Sequence, residues 1–381
     1  MGNLYELRLF DITLITFSLI KGEWGGLTSE IISFGESRNL LPLDLTPDNV
    51  GLPIWLEHRT IPKNREFVEE ILKSLGLSMG DTKGIIDVCK GLSLNDSYWV
   101  VPAGFEGRFA DYNLYENRFS EILSLVAYTG VTQGDISFTT SPELTTNGML
   151  PKAWRYIDGD GIYLYKGGTS GFVNTGNEPY SEYYASQIAD VMGISAVHYD
   201  LENWKGILAS KCKLFTSINT AYVPIGRIVK SGGLDAVMRY YNEHGVEFIN
   251  KIRDMLVFDA VIYNTDRHFG NFGVLRNNHS GNVVAPAPLF DHGMSLFNFA
   301  MDEDILNLDQ YAKTRFPANG ATTFEENCIK AMSTRQADKL RSLFGFKFIR
   351  HPKLNLSEVR LMAIERHIQK RAGYLLSLRK R

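Results

Sequence analysis

Apolar residues recur through several helical turns between Val246 and Tyr263, which predicts the longest helix of the chain there. Upstream, the pattern shortens. A helix is predicted over Asn64–Leu75, ended by Gly76, and another over Asn117–Tyr128. Between them, Ile85–Val88 and Leu92–Val101 mix strand and turn signals. From Asp135 the texture turns to strands: Ile136–Thr139, Ala153–Ile157 and Gly161–Lys166, separated by loops of Gly, Asn, Asp and Pro, suit an antiparallel meander. A helix follows with Pro179 in its first turn and Gly193 past its end, and Tyr184, Ile188 and Met192 mark its buried face. Strands are expected again over Ala196–Tyr199 and Lys205–Phe215, and most segments after Leu234 read as helix. The whole is an α+β arrangement: an N-terminal α+β subdomain over 1–135, a strand-rich lobe over 136–217 and a helical lobe over 218–381.

Composition narrows the class of function. The chain has 381 residues and a formal charge of −3, so no overall basic excess points to nucleic-acid or membrane binding. The charge is uneven, however. Fourteen Lys and Arg face three Asp and Glu between Lys330 and Arg381. Their helical spacing among apolar residues predicts a C-terminal helix packed back on an acidic body rather than a binding tail. Cys89, Cys212 and Cys328 are far apart with no CxxC, which excludes a disulfide scaffold or a thiolate zinc site. The early apolar run Ile12–Ile20 is shorter than the ~20 residues a spanning helix needs. A soluble, cytoplasmic protein is expected.

The chemistry concentrates where the long helix ends, in Asn264-Thr265-Asp266-Arg267-His268-Phe269-Gly270-Asn271-Phe272-Gly273. A predicted hairpin of Gly273–Arg276 and Val283–Ala285 follows, and then Phe290-Asp291-His292-Gly293. Mg²⁺ prefers hard oxygen ligands, one or two from the protein and the rest from phosphates and water. Asn271 and Asp291 are the candidates for that metal, which leaves Asp266 to take the proton of an attacking hydroxyl. Phosphoryl transfer also needs a cation. Lys166 ends a strand on the same side as Ile162 and Leu164, and Glu182, in the next helix, is its candidate partner. The loop Ser141–Leu150, with Thr146, Asn147 and Gly148, offers donors to phosphates. His268 and His292 flank Asp266 and Asp291 and could contact a γ-phosphate or serve a protonic role; a histidine bonded to loop backbone is an equal reading for His268 and the better one for His292.

At these residues the chain resembles the HipA-like family of bacterial kinases, a divergent branch of the protein-kinase fold. The resemblance rests on YLYKGG (163–168), YSEYYASQIADVMGIS (180–195), KLFT (213–216), FDAVIYNTDRHFGNFGVL (258–275) and PLFDHG (288–293). It implies a two-lobed fold and a serine/threonine protein kinase that uses ATP and Mg²⁺. Asp266 would then be the catalytic base, Asn271 and Asp291 the metal ligands, and Lys166 the phosphate-binding lysine paired with Glu182. Phe215 and Thr216 would carry adenine through backbone hydrogen bonds. The partners implied are ATP, a protein substrate and an antitoxin-like regulatory protein. Asp-Arg-His-x-x-Asn is also similar to the catalytic loop of phosphoinositide-type lipid kinases. Two further readings therefore stand beside the first: a kinase of a small molecule or lipid, and a nucleotide-binding toxin–antitoxin module with little turnover.

Overall fold

Alternating apolar residues in the first hundred positions build an antiparallel sheet in the order Leu27–Phe34, Ile12–Lys21, Asn3–Leu9, Tyr98–Pro102. The computed structural model describes residues 3–21, 27–132, 140–318 and 320–379, so the expected strand Ile136–Thr139 lies outside the described residues. The chain divides into two compact units. One comprises 1–166, 214–223 and 275–284, the other 167–213, 224–274 and 285–381.

In the first unit the strand Tyr98–Pro102 is buried on both faces. Tyr98 and Val100 belong to a core with Leu7, Phe17, Leu52 and Trp55, whereas Trp99 and Val101 belong to a second core with Phe109, Leu114 and Ile162. Burial on both faces removes the polar alternation of a half-exposed strand, which is why this stretch read ambiguously. Ile85–Val88 is helix, within Thr82–Cys89, because the Asp81 carboxylate caps it at the Gly84 N–H. The helix expected over Asn64–Leu75 is confined to Val68–Lys73. Phe67 before it is left-handed (φ 59°), and Arg65 turns inward instead of continuing the helix. Likewise the helix expected from Asn117 starts at Glu121, where Ser120 caps it, since the Asn117 amide is tied back to Ala110 O at 2.8 Å. Strands Lys152–Ile157 and Gly161–Lys166 pair antiparallel as expected.

The second unit carries the hairpin Tyr199–Trp204 with Ile207–Lys213. Both turn residues are left-handed (Lys205 φ 55°, Gly206 φ 81°), so the strand expected from Lys205 begins at Ile207, and the one expected over Ala196–Tyr199 runs instead from Tyr199 to Trp204. Ala196 makes only an isolated bridge to Leu289. The helix Glu178–Val191 buries Tyr184, Ile188 and Ala189. The helix Val246–Ile262 is buried on almost every side, which explains its broad apolar pattern. The basic C-terminal stretch folds onto acids of its own unit. Lys339 reaches Asp254, Lys370 reaches Asp309, Arg371 reaches Glu325, and Arg350 bridges Glu358 and Glu365.

Lys251 sits inside this unit, donating to Ser195 O, and burial pushes its pKa down to about 7. A base depressed in the folded state costs most stability below its folded pKa, and the cost fades as pH climbs toward the unfolded value near 10.5. Urea midpoints at pH 6 and pH 9 should therefore rise for the wild type and change less for Lys251→Met. A wild-type rise no larger than the variant's would count against this account.

Candidate active site

The helix Val246–Ile262 ends because Tyr263 turns left-handed (φ 54°), its N–H closing on Asp259 O. The chain then folds into a tight loop of its own hydrogen bonds. Asp266 N–H donates to Asn264 Oδ1 at 3.0 Å, His268 N–H to Asp266 O at 2.8 Å, and Asn271 N–H to His268 O at 2.9 Å. The Asn271 side-chain amide donates back to Asp266 O at 3.0 Å. That bond turns the amide nitrogen toward the loop and leaves Oδ1 as the oxygen a cation can use. Asn271 stands five positions after Asp266, and this closed turn is the reason for that spacing.

Arg267 is the hub of the site. Its guanidinium grips Asp259 with two bonds, at 3.0 and 3.2 Å, and also donates to Asn271 O at 3.1 Å, to Phe290 O and to His292 Nδ1 at 2.9 Å. One buried side chain thus joins the loop after the long helix to the segment carrying Asp291. Burial pushes the Asp259 carboxyl up while Arg267 pulls it back, and the carboxylate in turn keeps the guanidinium charged. Asn264 makes a second link, accepting from Asp266 N–H and donating to Asp291 O at 3.3 Å.

Asp291 adopts a left-handed backbone (φ 60°), which Asp tolerates better than most residues. Its N–H donates to the Tyr199 hydroxyl at 3.1 Å, and the N–H of His292 donates to the Glu182 carboxylate at 2.7 Å. Glu182 therefore anchors the Asp291 segment, a role its sequence position did not suggest. Gly293 lets that segment approach the helix Glu178–Val191, since a Cβ there would stand 3.3 Å from Glu178 Cβ. His292 is fully buried, which favours the structural reading of this histidine. His268 is exposed, and its Nδ1 accepts from Gly270 N–H at 3.0 Å, so the neutral ring carries its proton on Nε2.

The remaining predicted residues belong to the first unit. Lys166 is 8% exposed at the end of its strand. In the loop Ser141–Leu150, the Thr146 hydroxyl donates to Pro142 O at 2.6 Å and accepts from Trp154 Nε1 at 2.9 Å. Its capacity is spent internally, so the exposed backbone at Asn147–Met149 is what this loop can offer to phosphates. Lys152, which the sequence reading missed, donates to Asn147 O at 2.9 Å. Gly148 (φ 95°) makes room for it, because a Cβ there would lie 2.0 Å from Lys152 Nζ. The base of the loop is held by a fully buried pair, Arg65–Glu143 at 2.6 Å, with Arg65 also donating to Glu143 O and Lys152 O. Thr216 donates its hydroxyl to Leu94 O, and Phe215 stacks edge-on with Tyr222 at 5.6 Å.

Nothing in the sequence singles out Asp259 or Tyr199, and Asn264, inside the polar cluster, carries no sign of its link to Asp291. Arg267 stood inside the recognised loop, but nothing local indicates which groups its five N–H donors meet. Among the described residues no cluster of three or more His, Cys, Asp and Glu is arranged for a metal. The amide oxygen of Asn271 and the carboxylate of Asp291 nevertheless suit Mg²⁺ held mainly by phosphates. No helix among the described residues is long and apolar enough to cross a membrane.

No protein-family model matches the chain. It is 30% identical over 142 residues to the serine/threonine-protein kinase CtkA of Helicobacter pylori, a match covering 33% of this chain and 43% of that protein. The chain thus spans less than half the length of this curated relative. Its fold is similar to a chain of the HipA–HipB toxin–antitoxin system solved with operator DNA from Shewanella oneidensis MR-1 (TM-score 0.56, 13% identity, 99% of each chain). The crystal structure of CtkA aligns with 61% of this chain and 91% of its own (TM-score 0.46, 20% identity). The HipA-like resemblance read from the motifs is thus met by a kinase among its sequence relatives and by the fold of a HipA-system chain.

Proposed function

We propose that this chain is an ATP- and Mg²⁺-dependent phosphotransferase of HipA-like type, with a serine or threonine hydroxyl of a protein as acceptor. The observation that carries this reading is the double link, through Arg267 and Asn264, between the loop bearing Asp266 and Asn271 and the segment bearing Asp291. It is supported by the sequence similarity to a serine/threonine kinase.

Asp266 orients the acceptor hydroxyl and takes its proton. Asn271 and Asp291 are the residues to hold Mg²⁺, which when bound would neutralise charge on the phosphate oxygens. Lys166 and Glu182 keep the roles assigned from the sequence, and phosphate binding extends to the backbone of Thr146–Gly148. Adenine falls to the backbone at Phe215–Thr216, and His268 to the acceptor side of the loop. The functional division into 1–135, 136–217 and 218–381 belongs to this reading, as do a cytoplasmic location and control by an antitoxin-like protein. The last is favoured by the full-length similarity to a chain of a toxin–antitoxin system.

The test is transfer of labelled γ-phosphate from ATP to the protein itself and to a generic basic protein, with Mg²⁺ and with excess chelator. Label should appear with Mg²⁺ and fall at least about 100-fold when the metal is removed. Label on an inositide or a soluble alcohol instead would transfer the assignment to a small-molecule or lipid kinase. ATP binding with no transfer to any acceptor would leave a nucleotide-binding module.

A further inference from the structure

The second unit contains a cavity of about 280 Å³ that none of the roles above uses. Leu234, Met255, Phe269, Phe272 and Phe324 supply apolar walls, and Pro317 and the exposed Ala318 also line it. The polar groups facing it decide what it can take. Arg267 and Asp259 line it, but the guanidinium is committed to Asp259 and to three acceptors elsewhere, and both Asp259 oxygens are committed to Arg267. Neither an anion nor a cation finds a counter-charge there.

Asn327 differs from these. It is 6% exposed, it lines the cavity, and its side-chain amide makes no hydrogen bond among the described residues. An amide that opens into an otherwise apolar cavity, with its donor and acceptor not taken by the described residues, is the group there that can bond a ligand. A peptide group has the matching donor and acceptor. The volume lies just below the roughly 300–1,000 Å³ of ordinary small-molecule sites and suits one large side chain.

His268 and Phe269, two and three residues past Asp266, form part of the wall. We propose that this cavity seats an apolar side chain of the acceptor polypeptide, with Asn327 bonded to the peptide group beside it. His268, exposed and part of the cavity wall, would offer its Nε2–H to a carbonyl of the same segment. This inference rests on the kinase reading and adds the acceptor's recognition element to it.

The experiment uses the full chain and a peptide library with one central serine, each flanking position fixed in turn as Phe, Leu, Asp, Lys or Gly. Labelled peptide and peptide-independent ATP turnover are read for wild type, Ala318→Phe and Leu234→Trp. Position 318 is exposed and 234 half-buried, so both variants should fold while filling the cavity. Phe or Leu at one position should raise wild-type labelling about tenfold over Asp or Gly. Both variants should lose that preference through KM while ATP turnover without peptide stays within about twofold. A flat profile in wild type, a preference that survives in the variants, or ATP turnover with no peptide labelled each overturns the inference and leaves the kinase reading standing. No Asp266-dependent ATP turnover at all overturns both.

Discussion

Asp266→Asn should lower phosphate transfer by about 10²–10⁴-fold, the range expected when a positioned general base is removed. The substitution targets the carboxylate, because the bonds described for residue 266 in its turn go through its main chain. Its N–H meets Asn264 Oδ1, and its carbonyl accepts from the His268 N–H and the Asn271 amide. Asparagine preserves these three, so ATP affinity should change by no more than a few-fold and the urea midpoint by little. The measurements are kcat and KM with labelled ATP, beside equilibrium ATP binding. Retention of a third or more of wild-type kcat would remove Asp266 from the role of base.

Arg267→Met should destabilise the protein by about 3–5 kcal/mol, because it leaves Asp259 as an uncompensated buried charge. It should also abolish transfer, since the carbonyls of Asn271 and Phe290 lose their shared donor. The two consequences separate in a double variant. Asp259→Leu with Arg267→Met replaces a buried pair by apolar groups and should recover much of the lost stability. It should recover no activity, because neither new side chain ties Asn271 to Phe290. Urea unfolding of wild type, both single variants and the double variant checks this. A single-variant loss under about 1 kcal/mol would mean that Asp259 finds water or another partner.

Glu182 shows what a linear pattern leaves out. Its place in a helix suggests a partner for a lysine, and nothing local announces that its carboxylate also accepts from the His292 N–H. Thr146 offers a hydroxyl in the sequence, which the fold spends on Pro142. The strand Gly161–Lys166 and the helix Val246–Ile262 matched expectation because their period is written in consecutive residues. The helix expected over Asn64–Leu75 did not, because Arg65 gives up its helical place for an ion pair with Glu143. Tertiary partners overrode local propensity there.

The sequence by itself determined the α+β order of elements and the spacing of Asp266, Asn271 and Asp291, since both are properties of neighbouring residues. Only the tertiary structure decided what joins those residues. Arg267, Asn264 and Glu182 reach main-chain groups of the segment around Asp291: Phe290 O, Asp291 O and the His292 N–H. Every residue carries the same N–H and C=O, so such bonds leave no mark on the identity of the partner. The cavity beside the loop has the same origin: its walls come from distant helices, and only folding brings them together.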